Sequence, residues 1–258
     1  MIRGTREWAV AEIDCSIGCP YDCRYCYART KALKNRVITS ADEWKTLRSR
    51  PDAVVDYPLF PGQVMFPASH DIISENLETC ICTIDRLLAR GNRVLVVSKP
   101  SPEIIARLCD EFAGRREQLL FRFTITARNP RILAFWEPGA PCYSERRASL
   151  ALAADRGFDT SVSIEPMLES EDIFGLVDEL LPFVSHSIWI GLMNRIAERV
   201  TVDSATVERE VVQIEEGRQF SRIMCIYNRL KNNPLLRWKE SIKNIAGLPE
   251  APFPGMDI

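Results

Sequence analysis

Short apolar runs alternate with longer amphipathic stretches along the chain. Trp8-Ala-Val-Ala-Glu-Ile-Asp14 predicts a first strand. A cysteine-rich loop follows, then a helix from Tyr27 to Leu33 and a short one from Ala41 to Leu47. Gln63-Val-Met-Phe-Pro67 predicts a second strand. Ser74 to Arg90 then carries Leu77, Ile81, Ile84, Leu87 and Leu88 at helical spacing. Asn92 to Ser98 predicts a third strand, and Ser101-Pro102 opens the next helix with a capping residue and a first-turn proline. Leu119 to Thr126, Asp159 to Ile164 and Ser187 to Leu192 predict three further strands. Helices are expected over Glu145 to Arg156, Glu171 to Leu181 and Thr206 to Gly217, with Phe220 to Lys231 and Leu235 to Lys243 closing the body.

Six strands alternating with helices predict a parallel sheet, and six β/α units fit a partial (β/α)6 barrel of the TIM type. Polar residues gather just after the strands: Ser69, His70 and Asp71, then Lys99, Thr126, Glu165 and Asn194. In parallel barrels the strand C-termini build the site. No repeat or internal boundary interrupts the pattern, so residues 1–246 are expected to form a single domain, with a proline-rich, irregular tail over 247–258.

A chain of 258 residues is long enough for one large core. The formal net charge of −2 gives no global basic field for nucleic acid. The first residues lack the apolar segment of a signal peptide. No apolar run approaches the ~20 residues needed to span a bilayer. Nine cysteines, an odd number, then suggest a reduced cytoplasmic protein in which clustered thiols bind metal and the others pack as small hydrophobes.

The chemistry concentrates in Gly18-Cys-Pro-Tyr-Asp-Cys-Arg-Tyr-Cys-Tyr27, where Cys19, Cys23 and Cys26 are spaced C-x3-C-x2-C. Three thiolates from one loop can hold three irons of a 4Fe-4S cluster and leave the fourth open to a small molecule. A zinc knuckle or a disulfide loop are the other readings, but structural zinc usually takes two separated ligand pairs, and no second pair follows. Cys15 closes the apolar run before the loop and reads as a buried thiol.

The motif, with an aromatic before its third cysteine, resembles the radical S-adenosylmethionine (radical SAM) superfamily. Phe121-Arg-Phe-Thr-Ile-Thr-Ala-Arg128, Phe135-Trp-Glu-Pro-Gly139 and Arg146 narrow the resemblance to the spore photoproduct lyase group, over about residues 12–168. Asp71, Ser98-Lys99-Pro100 and Ile164-Glu-Pro-Met167 are also similar, more weakly, to a phage-associated family. The superfamily resemblance implies a reduced 4Fe-4S cluster that cleaves S-adenosylmethionine into methionine and a 5′-deoxyadenosyl radical, which takes hydrogen from a substrate. It implies Cys19, Cys23 and Cys26 as iron ligands, and a cofactor held by Tyr27, Ser69, His70, Lys99, Thr126, Glu137 and Arg146. Packing accounts equally for Tyr27, and an ion pair for Glu137 with Arg146. It also implies a reductase, such as flavodoxin or ferredoxin, as electron donor. The group's hydrogen-donating cysteine falls where this chain has Ala68, so Cys80, Cys82 or Cys142 would have to stand in.

Glu165 ends the fifth strand as a carboxylate at the mouth of the expected site, suited to a nucleobase edge or to general-base work. His70 is a second candidate for proton transfer, and Asn194 and Tyr25 are candidate substrate contacts. Two basic stretches, Arg29, Lys31, Lys34 and Arg36 and then Arg229, Lys231, Arg237, Trp238 and Lys239, suit either nucleic acid or a solvated face. The expected substrate is a nucleoside, modified base or nucleic acid. A peptide- or metabolite-modifying radical enzyme and a non-catalytic iron–sulfur or zinc binding module are the alternatives.

Overall fold

A computed structural model describes residues 2–50 and 56–256. Seven parallel strands form one sheet: β1 (Ala11–Glu12), β4 (Val64–Phe66), β5 (Val94–Ser98), β6 (Leu119–Thr124), β7 (Asp159–Ile164), β8 (Ser187–Ile190) and β9 (Leu236–Trp238), adjacent in that order. The sheet curls into a partial barrel. A two-stranded antiparallel piece, β2 (Ser16–Ile17) with β3 (Arg48–Ser49), flanks the cysteine loop. The sheet thus has one strand more than the sequence pattern predicts. Leu235 to Lys243 splits into β9 and a helix, α10 (Glu240–Ala246), because Leu236 and Trp238 face the core with strand periodicity.

Helices cover the outer face: α2 (Leu77–Ala89), α3 (Pro102–Glu111), α5 (Tyr143–Asp155), α6 (Ile173–Leu180) and α9 (Phe220–Leu230). Their apolar stripes meet Phe66, Val94, Val96, Phe121, Phe123, Val162, Ile164, Ile188 and Ile190 in one core. These strand residues alternate with a second set that turns to the concave face, Met65, Leu95, Leu120 and Trp189 with Trp8. Strands covered on both faces read as nearly continuous apolar runs, which is why the pattern marks them clearly. α3 begins at Pro102 as expected, but the Ser101 side chain makes no capping bond.

Three helices position the site. α1 (Tyr27–Lys34) starts directly after the third loop cysteine. α4 (Pro130–Trp136) and α7 (Ile196–Arg199), neither evident in the pattern, pack with α8 (Ala205–Gly217) in a second apolar cluster around Tyr21, Tyr25, Trp44, Trp136 and Ile196. That cluster seats the cysteine loop. Residues 247–256 contain neither helix nor strand, and the last two residues of the expected tail lie outside the described residues. Among the described residues no helix is long and apolar enough to cross a membrane.

Candidate active site

The cysteine loop is pinned by backbone contacts that only certain residues permit. Gly18 has φ +96°, and a Cβ there would lie 2.4 Å from the Thr46 carbonyl oxygen, so the chain enters the loop through a glycine. Cys19 N–H then donates to the Trp44 carbonyl (2.7 Å), Arg24 N–H to that of Trp136 (2.9 Å), and Gly139 N–H to that of Tyr21 (3.0 Å). Cys26 is the N-cap of α1, where its sulfur accepts from Arg29 N–H at 3.4 Å. An unpaired helix N–H and the positive end of the helix dipole both favour negative charge on that sulfur.

Cys19, Cys23 and Cys26 border one cavity of about 640 Å³ at the C-terminal ends of the strands, a volume within the range of small-molecule sites. Burial pushes all three thiols up, Cys23 to about 12. Tyr27, Ser69, Lys99, Glu165, Asn194 and Tyr25 border the same cavity. A more open groove of about 1140 Å³ runs outside the barrel between α4 and α8, and the three loop cysteines do not border it.

Asp71 organises one wall. Its Oδ1 accepts from Lys99 N–H (2.7 Å) and the Ser98 hydroxyl (3.0 Å); its Oδ2 lies 3.5 Å from Lys99 Nζ and 3.7 Å from Cys19 Sγ. Burial opposes its ionisation, but the Lys99 charge and these bonds prevail and hold Asp71 below the usual carboxylate range. Lys99 is therefore paired from within the protein, and its pKa is raised although burial works against it. The sequence points to Asp71 through its place in the Ser-His-Asp run after β4 and through the weaker phage-associated likeness.

Asp14 shapes the next turn, its Oδ1 accepting from the backbone N–H of Ala68 (2.8 Å) and Ser69 (2.7 Å). Ala68 faces the cavity, and its carbonyl accepts from the Tyr27 hydroxyl. The candidate substitute thiols do not border it. Cys80 is buried 3.5 Å from Cys15, while Cys82 and Cys142 are exposed elsewhere. Cys15 is fully buried, as its apolar setting suggests.

Four expected contacts are engaged within the protein. The His70 ring is fully buried; its Nε2 accepts from Ser16 N–H (3.2 Å) and its Nδ1–H donates to the Asp71 carbonyl (3.0 Å), so both nitrogens are used in joining β2 to the turn after β4. His70 borders the cavity, and these bonds hold its ring in the wall. Thr126, Glu137 and Arg146, by contrast, do not border the cavity. Arg146 Nη1 lies 2.5 Å from Glu137 Oε2, with both side chains at most 1% exposed. Thr126 and Tyr25 donate to Glu137 Oε1. This network stands behind the loop and fixes Tyr25 between the second and third cysteines. Burial opposes the Glu137 charge, yet Arg146 and Lys99 hold its carboxyl below the usual range.

The opposite wall is built by the strand missed in the sequence. Lys239, just after β9, has no solvent exposure; its Nζ donates to the Gly4 carbonyl (2.6 Å) and lies 2.7 Å from Glu7 Oε2 and 3.5 Å from Glu165 Oε2. It also sits 4.1 Å from the centre of the Trp8 ring. Burial raises the Glu165 pKa against the pull of Lys239. Asn194 Nδ2 donates to Glu240 Oε1 at 3.3 Å. The second basic stretch is thus dispersed: Trp238 and Lys239 are buried, and Arg229 lies over Phe174 on the outer layer.

No family model matches this sequence, and none of the curated proteins does. Solved structures of spore photoproduct lyase are similar to it. A double mutant with bound AdoMet and dinucleoside spore photoproduct aligns with TM-score 0.53 and 17% identity over 80% of this chain and 60% of that one. A single mutant with dinucleoside spore photoproduct aligns with TM-score 0.54 and 16% identity, over 86% and 74%. A further single mutant gives TM-score 0.55 and 16% identity, over 88% and 75%. This chain therefore spans 60–75% of the lyase chains it matches. What the alignment shows is the architecture: the curled parallel sheet is the partial barrel of the spore photoproduct lyase fold.

Proposed function

We propose that this chain is a radical SAM enzyme that modifies or cleaves a nucleoside, a modified base or nucleic acid. The observation that carries the reading is the placement of Cys19, Cys23 and Cys26 on one cavity at the C-terminal ends of a partial barrel of the spore photoproduct lyase fold. Two of those lyase structures hold a dinucleoside lesion, and one also holds AdoMet, which supports a nucleic-acid-derived substrate here.

The residues present fit a cluster. Three thiols from one loop border one cavity, and each can take a separate iron. With the cluster and S-adenosylmethionine bound, the pair supplies one-electron reductive cleavage of the cofactor and hydrogen abstraction from the substrate.

The protein's own residues have simpler tasks. Cys19, Cys23 and Cys26 bind the iron, and the Glu137–Arg146 pair keeps the loop in place. Asp71 and Lys99 offer a carboxylate and an ammonium to the amino-acid end of the cofactor, beside Ser69. Tyr27 offers a ring at the start of α1. Glu165 accepts hydrogen bonds from the substrate or removes its proton, with Asn194 and Tyr25 on the same cavity as further contacts. Ala68 has no hydrogen to donate to a carbon radical, so the reaction differs in its final step from one that ends at a cysteine in that place. A cytoplasmic flavodoxin or ferredoxin would supply the electron.

The test is anaerobic iron–sulfur reconstitution, then reduction with and without S-adenosylmethionine. A paramagnetic cluster signal that changes with the cofactor, with 5′-deoxyadenosine formed and both lost in Cys23→Ala, is the expected result. Bound zinc that survives reconstitution, or no cluster, would overturn it and leave a metal-stabilised binding protein.

A further inference from the structure

We infer that Arg199, with Arg195 beside it, forms an anion subsite at the rim of the cavity and takes a phosphate of the substrate. The inference rests on the nucleic-acid-derived substrate proposed above and narrows it to a phosphorylated one, a nucleotide or a strand.

The two lysines on the cavity walls are paired within the protein. Lys99 faces Asp71, and Lys239 joins Glu7 and Glu165. Near the loop, Asp22 is taken by Arg29 and Lys45. Arg199 is different. It borders the cavity from α7, half-buried, and among the described residues no carboxylate lies within ion-pair distance of it. Its guanidinium sits 5.9 Å from the centre of the Tyr27 ring. Burial lowers its pKa against the pull of Glu165, which acts on it from beyond ion-pair distance. An arginine stays charged, so the missing partner is an anion that arrives from outside.

Arg195 lines the same cavity in the left-handed region, φ +54°, and its contact with Glu198 is long, 3.8 Å, and open to water. Such a pair contributes little and is easily exchanged. Arg3 and Arg6, both exposed ahead of β1, border the same cavity. Glu12, Glu165 and Glu240 border the cavity as well, so the anion subsite is local to α7 and is not a field of the whole cavity. A guanidinium fork matches two phosphate oxygens, and a neutral nucleoside would leave it unanswered.

The experiment is equilibrium binding of the four deoxynucleosides, their 5′-monophosphates and a short oligodeoxynucleotide to the reconstituted protein, in parallel with S-adenosylmethionine. At least one monophosphate should bind about tenfold or more tightly than its nucleoside, the range of a charged hydrogen bond. Arg199→Gln should abolish that preference and leave nucleoside and cofactor affinity unchanged, while Arg199→Lys should keep part of it. Oligonucleotide binding tighter than any monophosphate, with a steeper salt dependence, would identify a strand as the source of the phosphate. Equal binding of nucleosides and nucleotides would overturn the inference. So would an Arg199→Gln protein that loses cofactor affinity instead, since the guanidinium would then belong to the cofactor carboxylate. Formation of 5′-deoxyadenosine is read separately, so a failed phosphate subsite is distinguishable from a failed radical reading.

Discussion

Glu165, on the cavity wall, is tethered by Lys239, whose fully buried ammonium lies 3.5 Å from its Oε2. The same ammonium holds Glu7 at 2.7 Å, so one cation serves a structural and a candidate catalytic carboxylate. Replacing Glu165 with Gln should lower substrate turnover and leave uncoupled cofactor cleavage intact. Unchanged turnover would remove Glu165 from the reaction. Lys239→Met should act more subtly, by withdrawing the charge that opposes the burial-raised pKa of Glu165. If Glu165 works as a base, the acid limb of the substrate-dependent rate should move to higher pH in that variant.

The approach of Lys239 to Glu165 depends on Gly191. A Cβ at that position would lie 2.6 Å from Lys239 Cγ and 3.0 Å from Glu165 Cγ. Gly191→Ala should push the two side chains off the wall, and misplacement by about 1 Å can cost on the order of 100-fold in rate. Substrate turnover should fall while iron content and uncoupled cleavage stay near wild type. A variant with full turnover would show that the wall tolerates the shift.

Gly139 makes the matching test for the loop. A Cβ there would meet the Pro20 carbonyl oxygen at 2.7 Å and Tyr21 Cα at 2.9 Å, both backbone atoms that cannot turn aside. Gly139→Ala should displace the segment between Cys19 and Cys23, and the iron and sulfide bound per chain after anaerobic reconstitution should drop. A wild-type iron count would mean that the loop carries the strain without losing its ligands.

Much of this site was legible in the sequence because its signals are local. The cysteine spacing lies within eight residues, Lys99 follows the apolar strand β5, and Glu165 follows β7 in Ser-Ile-Glu-Pro. Lys239 was not legible, because β9 is only three residues long and runs directly into α10. Arg199 and α7 were hidden for a similar reason: four residues hold too few positions for a helical period. For Arg146 the sequence offers a cofactor contact and an ion pair with Glu137 equally, and the structure shows the ion pair. The position of His70 after β4 suits a cofactor contact, and only the tertiary packing turns its ring toward Ser16.

The Glu137–Arg146 pair supports the loop from a fully buried place, so its loss should be read in stability as well as in activity. Removing one partner of a buried pair costs about 3–5 kcal/mol, because the other charge is left without water or counter-ion. Arg146→Met should therefore lower the urea midpoint sharply. Glu137→Leu with Arg146→Met together should cost less than Arg146→Met alone, unless the Tyr25 and Thr126 hydroxyls left without an acceptor dominate.

Glu7 gives the pH dependence its direction. Burial outweighs the Lys239 ion pair and raises its pKa to about 7 from an ordinary value of 4.5. Between those values the folded chain binds a proton that the unfolded chain has released. Stability contributed by this group is therefore full below about pH 4.5 and is lost as pH rises through about 7. The shift corresponds to on the order of 3 kcal/mol at most. Glu7→Gln, which keeps the shape and cannot ionise, should flatten this part of the stability profile measured by urea unfolding between pH 4.5 and 8. A profile that rises through that window in the wild type, or one unchanged in the variant, would show that the Lys239 pair and not burial sets the ionisation of Glu7.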